Sequence, residues 1–155
     1  MKLHAGHMEV AVANLIGYRT HTIVPNVSWG LGLNHECDML VLDQKGRFTE
    51  VEIKISRSDL RADFKKKHGH QSKFISRLVY AVPEEMKDYA LELIPLTAGL
   101  IYVHHYDWNG KIQCYARWER LCRHDTTKKP DQKTLNRFYH LGCMRIWSLK
   151  EHSYK

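Results

Sequence analysis

No run of the sequence approaches the ~18 consecutive apolar residues of a membrane-crossing helix, which argues against a span of that kind. The opening stretch, MKLHAGHMEVAVANLIGY, carries Glu9 and Asn14 where a secretory signal would be apolar, so a cytoplasmic location is expected. The cysteines are few and scattered: Cys37, Cys114, Cys122 and Cys143 form no CxxC pair. In a reducing compartment they read as free thiols rather than a disulfide framework. Repeats, low-complexity tracts and Gly/Ser linkers are missing, as are a P-loop, a dinucleotide fingerprint and a G-x-S-x-G elbow. Acidic charge is the scarcer sign, with 17 Asp and Glu against 24 Lys and Arg and a net charge of +7. An excess of that size suits an anionic partner, of which nucleic acid is the commonest.

What is present is enough for one domain. The chain has 155 residues, 43% of them apolar, and a chain of this length buries roughly two-thirds of its unfolded surface. Residues 4–17 place Met8, Ala11, Val12, Leu15 and Ile16 on one helical face. Thr20–Trp29 reads as a strand interrupted at Pro25, followed by a turn at Gly30 and Gly32. Glu36–Asp43 and Arg47–Ile55 read as strands joined by Gln44-Lys45-Gly46. Ser56 or Ser58 can cap a helix running to about Lys67. Leu78–Val82 reads as a short strand, and Pro83 suits the first turn of a helix with Glu84 and Glu85 at its positive end. Ala98–His104 and Lys111–Trp118 read as two further strands. The segment HDTTKKPD sets off a last helix from Asp131 to about Lys150, with Leu135, Phe138, Tyr139, Met144 and Trp147 as its apolar contacts. Strands mixed with single helices predict an α/β fold, a small mixed sheet flanked by helices.

The segment ECDMLVLDQKGRFTEVEIKIS carries the chemistry. On its second strand Val51, Ile53 and Ile55 take one face, while Glu50, Glu52 and Lys54 take the other. A three-residue loop with Gly46 in the left-handed conformation sets Asp43 opposite Arg47. Leu40 then opposes Glu50, and Asp38 opposes Glu52. Opposed residues hold their Cβ atoms about 4.5–5.5 Å apart, so these two carboxylates repel each other. A divalent cation between them removes that cost and gains hard oxygen ligands. A four-residue loop would break the pairing. The chemistry that wants this arrangement is metal-assisted phosphodiester hydrolysis, in which the cation polarises a phosphoryl oxygen and acidifies a bound water. Asp38, Glu52 and the carbonyl of Ile53 are the candidate ligands for Mg²⁺ or Mn²⁺. Lys54 can orient the attacking water or stabilise charge on the phosphate. The plain alternative is a solvated edge hairpin, which the apolar setting of VEIKI and CDMLVL makes less natural.

Asp38 with Glu52-Ile53-Lys54 resembles the PD-(D/E)XK nuclease superfamily. VEIKISRSDLRADFKK at 51–66 is similar to small bacterial MmcB-like DNA-repair proteins, with Ser56, Arg57, Asp59, Asp63 and Lys65 on the matching positions. RLVYAVPEE at 77–85 and AGLI at 98–101 resemble the same family in the same order, so the likeness spans roughly residues 30–104. It implies a restriction-endonuclease-like fold, Asp38 and Glu52 as metal ligands, Lys54 as the catalytic lysine, and Glu9 as the candidate acid from the first helix. Cys37 stands where the superfamily often has proline. The resemblance also leaves room for a homodimer.

Arg57, Arg61 and Lys65 recur at helical spacing beside the hairpin and could grip phosphates; a solvated helix face is the alternative. Tyr102, Tyr106 and Trp108 could stack bases, although core or turn positions explain them more simply. The histidine and cysteine sets His4/His7, His104/His105 and Cys114/Cys122/His124 have no zinc-module spacing. The functional expectation is a metal-dependent nuclease acting on DNA, in repair or defence. Its competitor is an inactive module of the same fold that grips DNA or a protein, and a basic RNA-binding protein has only the net charge behind it.

Overall fold

A computed structural model of the chain describes residues 2–28, 31, 33, 35–65 and 72–154. The expected turn at Gly30 and Gly32 and the far end of the second helix, Lys66–Lys67, lie outside the described residues. The elements are α1 (Ala5–Ile16), β1 (Thr22–Val27), β2 (Cys37–Leu42), β3 (Phe48–Ile53), α2 (Arg57–Asp63), β4 (Ile75–Pro83), α3 (Lys87–Leu93), β5 (Gly99–Trp108), β6 (Lys111–Arg120) and α4 (Gln132–Ser153). A 3₁₀ turn, Glu84–Met86, precedes α3. The strands form one mixed six-stranded sheet in sequence order. The central pairs β3–β4 and β4–β5 are parallel, and the outer pairs are antiparallel.

The parallel pairs need crossovers, and α2 and α3 lie in them. α1 covers one face, packing Met8, Ala11 and Val12 on Met39, Val41, Val51, Ile53, Val79, Ala81, Ile101 and Val103. On the other face, Leu60, Met86, Ala90 and Ile94 cover Tyr80, Val82 and Leu100. Phe138 of α4 joins Val24, Leu40, Leu42 and Phe48 there. A fully buried Val, Leu or Phe contributes about 1.5–3 kcal/mol, so both faces are needed to hold the sheet. Among the described residues no helix is long and apolar enough to cross a membrane.

The β2–β3 hairpin has the expected register. Gly46 has φ 72°, and the facing pairs run Leu42–Phe48, Val41–Thr49, Leu40–Glu50 and Met39–Val51. Asp43 closes the loop: its Oδ1 accepts from the backbone N–H of Lys45 at 2.8 Å and of Arg47 at 3.0 Å.

Several boundaries differ from expectation. Pro25 does not interrupt β1 but faces Met39 within the ladder. β1 is an edge strand, where a missing N–H costs no ladder bond. α2 ends at Asp63, and the N–H of Lys65 bonds to the carbonyl of Ala62, tightening its last turn. Pro83 ends β4 instead of opening a helix, and the 3₁₀ turn separates it from α3. β4 begins at Ile75, three residues ahead of the expected start, because Ser76 and Arg77 have distant polar partners. In α4 the expected apolar set mixes two faces. Phe138 is buried, and Gly142 approaches Val24 so closely that an added Cβ would lie 3.2 Å from it. Met144 follows Gly142 by two residues, about 200° around the helix, and is exposed with Tyr139 and Trp147.

Candidate active site

β3 is buried along its whole length, including two acids. Its apolar face, Val51 and Ile53, packs under α1, and alternation sends Glu50, Glu52 and Lys54 to the α2 side. Glu50 is 0%, Glu52 1% and Lys54 5% exposed. Charges so deep need partners. The Lys54 Nζ donates to Glu52 Oε2 at 2.7 Å and lies 3.3 Å from Asp63 Oδ1. Asp63 reaches inward from the last turn of α2, and the Tyr80 hydroxyl donates to its Oδ2 at 2.9 Å. α2 is held over the site by its own N-cap, where Ser56 Oγ accepts from the N–H of Asp59 at 3.2 Å.

Asp38 joins from the neighbouring strand. The β2–β3 ladder ends at Met39–Val51, one pair short of the expected opposition of Asp38 and Glu52. Beyond that point β3 stays paired with β4 through Glu52–Tyr80 and Ile53–Ala81. The Asp38 side chain takes over on the β2 side, its Oδ2 accepting from the Ile53 N–H at 2.7 Å. The hairpin therefore opens at the residues that carry the charge, with one carboxylate fixed against the Ile53 backbone. Glu9 approaches from α1: partial burial and the Asp38 carboxylate both raise its pKa.

Asp38, Glu50, Glu52 and Asp63 set four carboxylates around one lysine and one imidazole. Burial lifts the Glu52 carboxyl to about 7 against the pull of Lys54, and the Asp38 and Glu50 carboxylates add to the rise. Burial disfavours the Lys54 ammonium, but Glu52, Asp63 and Asp38 outweigh it and hold its pKa above the ordinary lysine range. Burial and Asp63 push the Tyr80 hydroxyl up. Burial, with Glu50 and Glu52 nearby, keeps Cys37 a thiol that bonds to the Met39 carbonyl.

Beyond the sequence-derived set, His35 and Glu50 belong here together with Asp63 and Tyr80. His35 Nε2 contacts Glu50 Oε1, and ligand atoms of His35, Glu50 and Glu52 lie within 4.8 Å of one another. Among the described residues this is the one group of three or more His, Cys, Asp or Glu so arranged, and the other histidine and cysteine sets are not. Glu50 was legible from alternation, since it shares a face with Glu52 and Lys54. Nothing local marked His35, which arrives from the segment before β2. The Glu52 Oε1 is buried without a hydrogen-bond partner among the described residues. A free oxygen there, within a surplus of carboxylates, is the donor set a divalent cation fits.

The expected phosphate row is only partly a row. Arg57 and Arg61 are exposed on α2, and Lys65 is exposed just beyond it. Arg57 stacks over the Tyr89 ring at 4.9 Å, which ties it toward α3. Asp63, one helical turn beyond the exposed Asp59, is buried.

A family model described as DNA repair protein MmcB-like matches residues 4–152. The chain belongs to the MmcB-like family. The MmcB-like match includes the residues after 104, where the sequence resemblance had stopped. A solved protein of unknown function from Silicibacter pomeroyi aligns with 100% of this chain and 94% of its own, at 18% identity and a TM-score of 0.67. That likeness is one of fold. A second solved protein of unknown function aligns with 57% of this chain and 52% of its own, at 19% identity and a TM-score of 0.37. No curated protein matches the chain.

Proposed function

We propose that this MmcB-like protein is a divalent-metal-dependent deoxyribonuclease of the PD-(D/E)XK type, on a restriction-endonuclease-like fold, acting in DNA repair. The observation that carries this reading is the buried Glu52–Lys54–Asp63 cluster at the end of β3, with Asp38 fixed beside it. A purely structural sheet has no use for that surplus of carboxylate. Asp38, Glu52 and the Ile53 carbonyl would hold Mg²⁺ or Mn²⁺, and His35 and Glu50 extend the donor set on the far side of Glu52. When bound, the cation would supply Lewis-acid stabilisation of a phosphoryl oxygen and acidify a water.

The protein's own groups have separable roles. Lys54 keeps its proton at neutral pH, so it donates a hydrogen bond to charge developing on the phosphate and does not serve as the base. Asp63, anchored by Tyr80, positions the Lys54 ammonium. Asp38 is held at the strand end by the Ile53 amide. Arg57, Arg61 and Lys65 would meet the DNA backbone from α2.

The test is cleavage of supercoiled plasmid, linear duplex, single strand and branched junction with Mn²⁺ or Mg²⁺. Wild type runs beside Lys54→Ala and Asp38→Ala, purified identically. Cleavage lost in both variants and in EDTA supports the enzyme. Equal cleavage by wild type and Lys54→Ala overturns the assignment.

A further inference from the structure

β5 and β6 are longer than the sheet they belong to. β4 ends at Pro83, paired with Val103, so His104–Trp108 pair only with β6. The result is a free two-stranded ribbon whose tip, Asn109-Gly110, has φ 52° and 76° at its two residues. Its direction follows from the parallel registers. Ile53 faces Ala81 and Ala81 faces Ile101, so the row after them holds Lys54, Val82 and Tyr102. The ribbon leaves the sheet at the Lys54 end, two strands over, roughly 10 Å at the usual strand spacing.

Alternation sends Tyr102, His104, Tyr106 and Trp108 to the face that Lys54 occupies. Their cross-strand partners are Arg117, Tyr115, Gln113 and Lys111. Sequence reasoning favoured core or turn places for Tyr106 and Trp108. Instead Tyr106 is 46%, Trp108 64% and Tyr115 42% exposed, because on this face the ribbon has outrun the sheet, while α1 packs the opposite face around Cys114 and Ala116. The rings are contiguous: His104 lies 4.8 Å from Tyr115 and 6.2 Å from Tyr106 between centroids. Cations interleave them, with Arg117 over Tyr115 at 5.4 Å and Lys87 over Tyr102 at 5.3 Å. The nearby acids are engaged, Glu84 with His104 and Glu119 with Lys87.

We propose that this face of the β5–β6 ribbon is a stacking platform for unpaired nucleobases of a DNA strand led to the Lys54 site. Exposed rings offer π faces that any base can use, and alternating cations follow the phosphates. Duplex DNA hides its base faces and would use only the cations. The inference rests on the DNA reading of the site but not on catalysis.

Binding is therefore measured in EDTA, where cleavage plays no part. Fluorescein-labelled single-stranded and blunt duplex DNA of equal length are titrated with wild type, Trp108→Ala, Tyr115→Ala and Trp108→Phe. Wild type is expected to prefer the single strand. Each alanine should weaken single-strand affinity about five- to a hundredfold, with little change for duplex. Trp108→Phe should restore most of the loss, and tryptophan quenching by single strands should shrink in Trp108→Ala. Single-strand binding by both alanine variants within twofold of wild type overturns the platform, as does equal loss for duplex. Cleavage that still depends on Lys54 would show that such a failure belongs to the platform and not to the active site.

Discussion

Asp59 and Asp63 stand four residues apart on one short helix, and only Asp59 faces water. The inward one meets Lys54 and Tyr80. Because Asp63 acts through Lys54, Asp63→Asn is expected to lower kcat roughly tenfold while KM holds, and Tyr80→Phe to lower it only a few-fold. A loss of one neutral hydrogen bond is worth about 1 kcal/mol, which sets that order. Steady-state kinetics on the preferred substrate check it, and a change confined to KM would count against positioning. Glu52 gives a pH prediction. Its folded carboxyl, pushed up to about 7, binds a proton that the unfolded chain, with an ordinary value of 4.5, has already lost. Its contribution to metal-free stability is therefore complete below 4.5 and lost as pH rises through about 7. Divalent metal needs the ionised form, so its affinity should rise over the same window. Melting curves at pH 5 and 8, with and without Mn²⁺, should show this in wild type, while Glu52→Gln should flatten both trends.

At the level of elements, what could be read in advance followed local chemistry. The hairpin register came from one glycine and one three-residue loop, and Ser56 caps α2 as its position predicts. Ser56→Ala should cost about 1 kcal/mol in chemical denaturation, and cleavage should fall with the loosened α2 if Asp63 is held by it. The illegible parts depended on distant partners. β4 starts at Ile75 because Ser76 donates to the Phe48 carbonyl at 3.1 Å and Arg77 to Asp43 at 2.9 Å. In sequence those residues are merely polar. Asp43 shows the same dependence: burial alone would raise its carboxyl, yet Arg77 and two backbone amides hold it below its ordinary value. The outer half of β5, beyond His104, was hidden for another reason, since a ribbon exposed on one face lacks the core pattern that marks a strand, whereas its partner β6 was legible from Lys111 onward. Phe138 is the apolar pin that fixes α4 on the sheet, and Phe138→Ala should cost about 3–5 kcal/mol, measured by urea unfolding.

At the scale of the whole molecule, Arg57, Arg61 and Lys65 lie on the surface beside the site while Glu50, Glu52 and Asp63 are buried in it. If Arg57, Arg61 and Lys65 each neutralise a phosphate, the triple charge reversal should reduce the slope of log K against log salt by about 2.7 for duplex DNA. An unchanged slope would assign them to solvation only. Arg57, stacked on Tyr89, is expected to give the smallest single effect. The site itself draws on α1, β2, β3, α2 and β4, so no short fragment would keep it. Sequence spacing located Asp38, Glu52 and Lys54 because two adjacent strands carry them. It could not bring in His35 or the inward turn of Asp63, since those depend on how a loop and a helix settle on the finished sheet.

The order of the strands also decides how copies of the chain can meet. An open sheet has two rims, each able to recruit a stranger's backbone. At one rim Pro25 offers no N–H, and Asn26, with φ 50°, turns the next peptide out of line. The other rim, β6, bristles with Lys111, Arg117 and Arg120. The β1 rim lacks a donor and bends, and the β6 rim carries like charge, so growth by adding strand to strand is discouraged at both ends. The protein can carry a long, sticky aromatic ribbon without becoming the seed of a fibre.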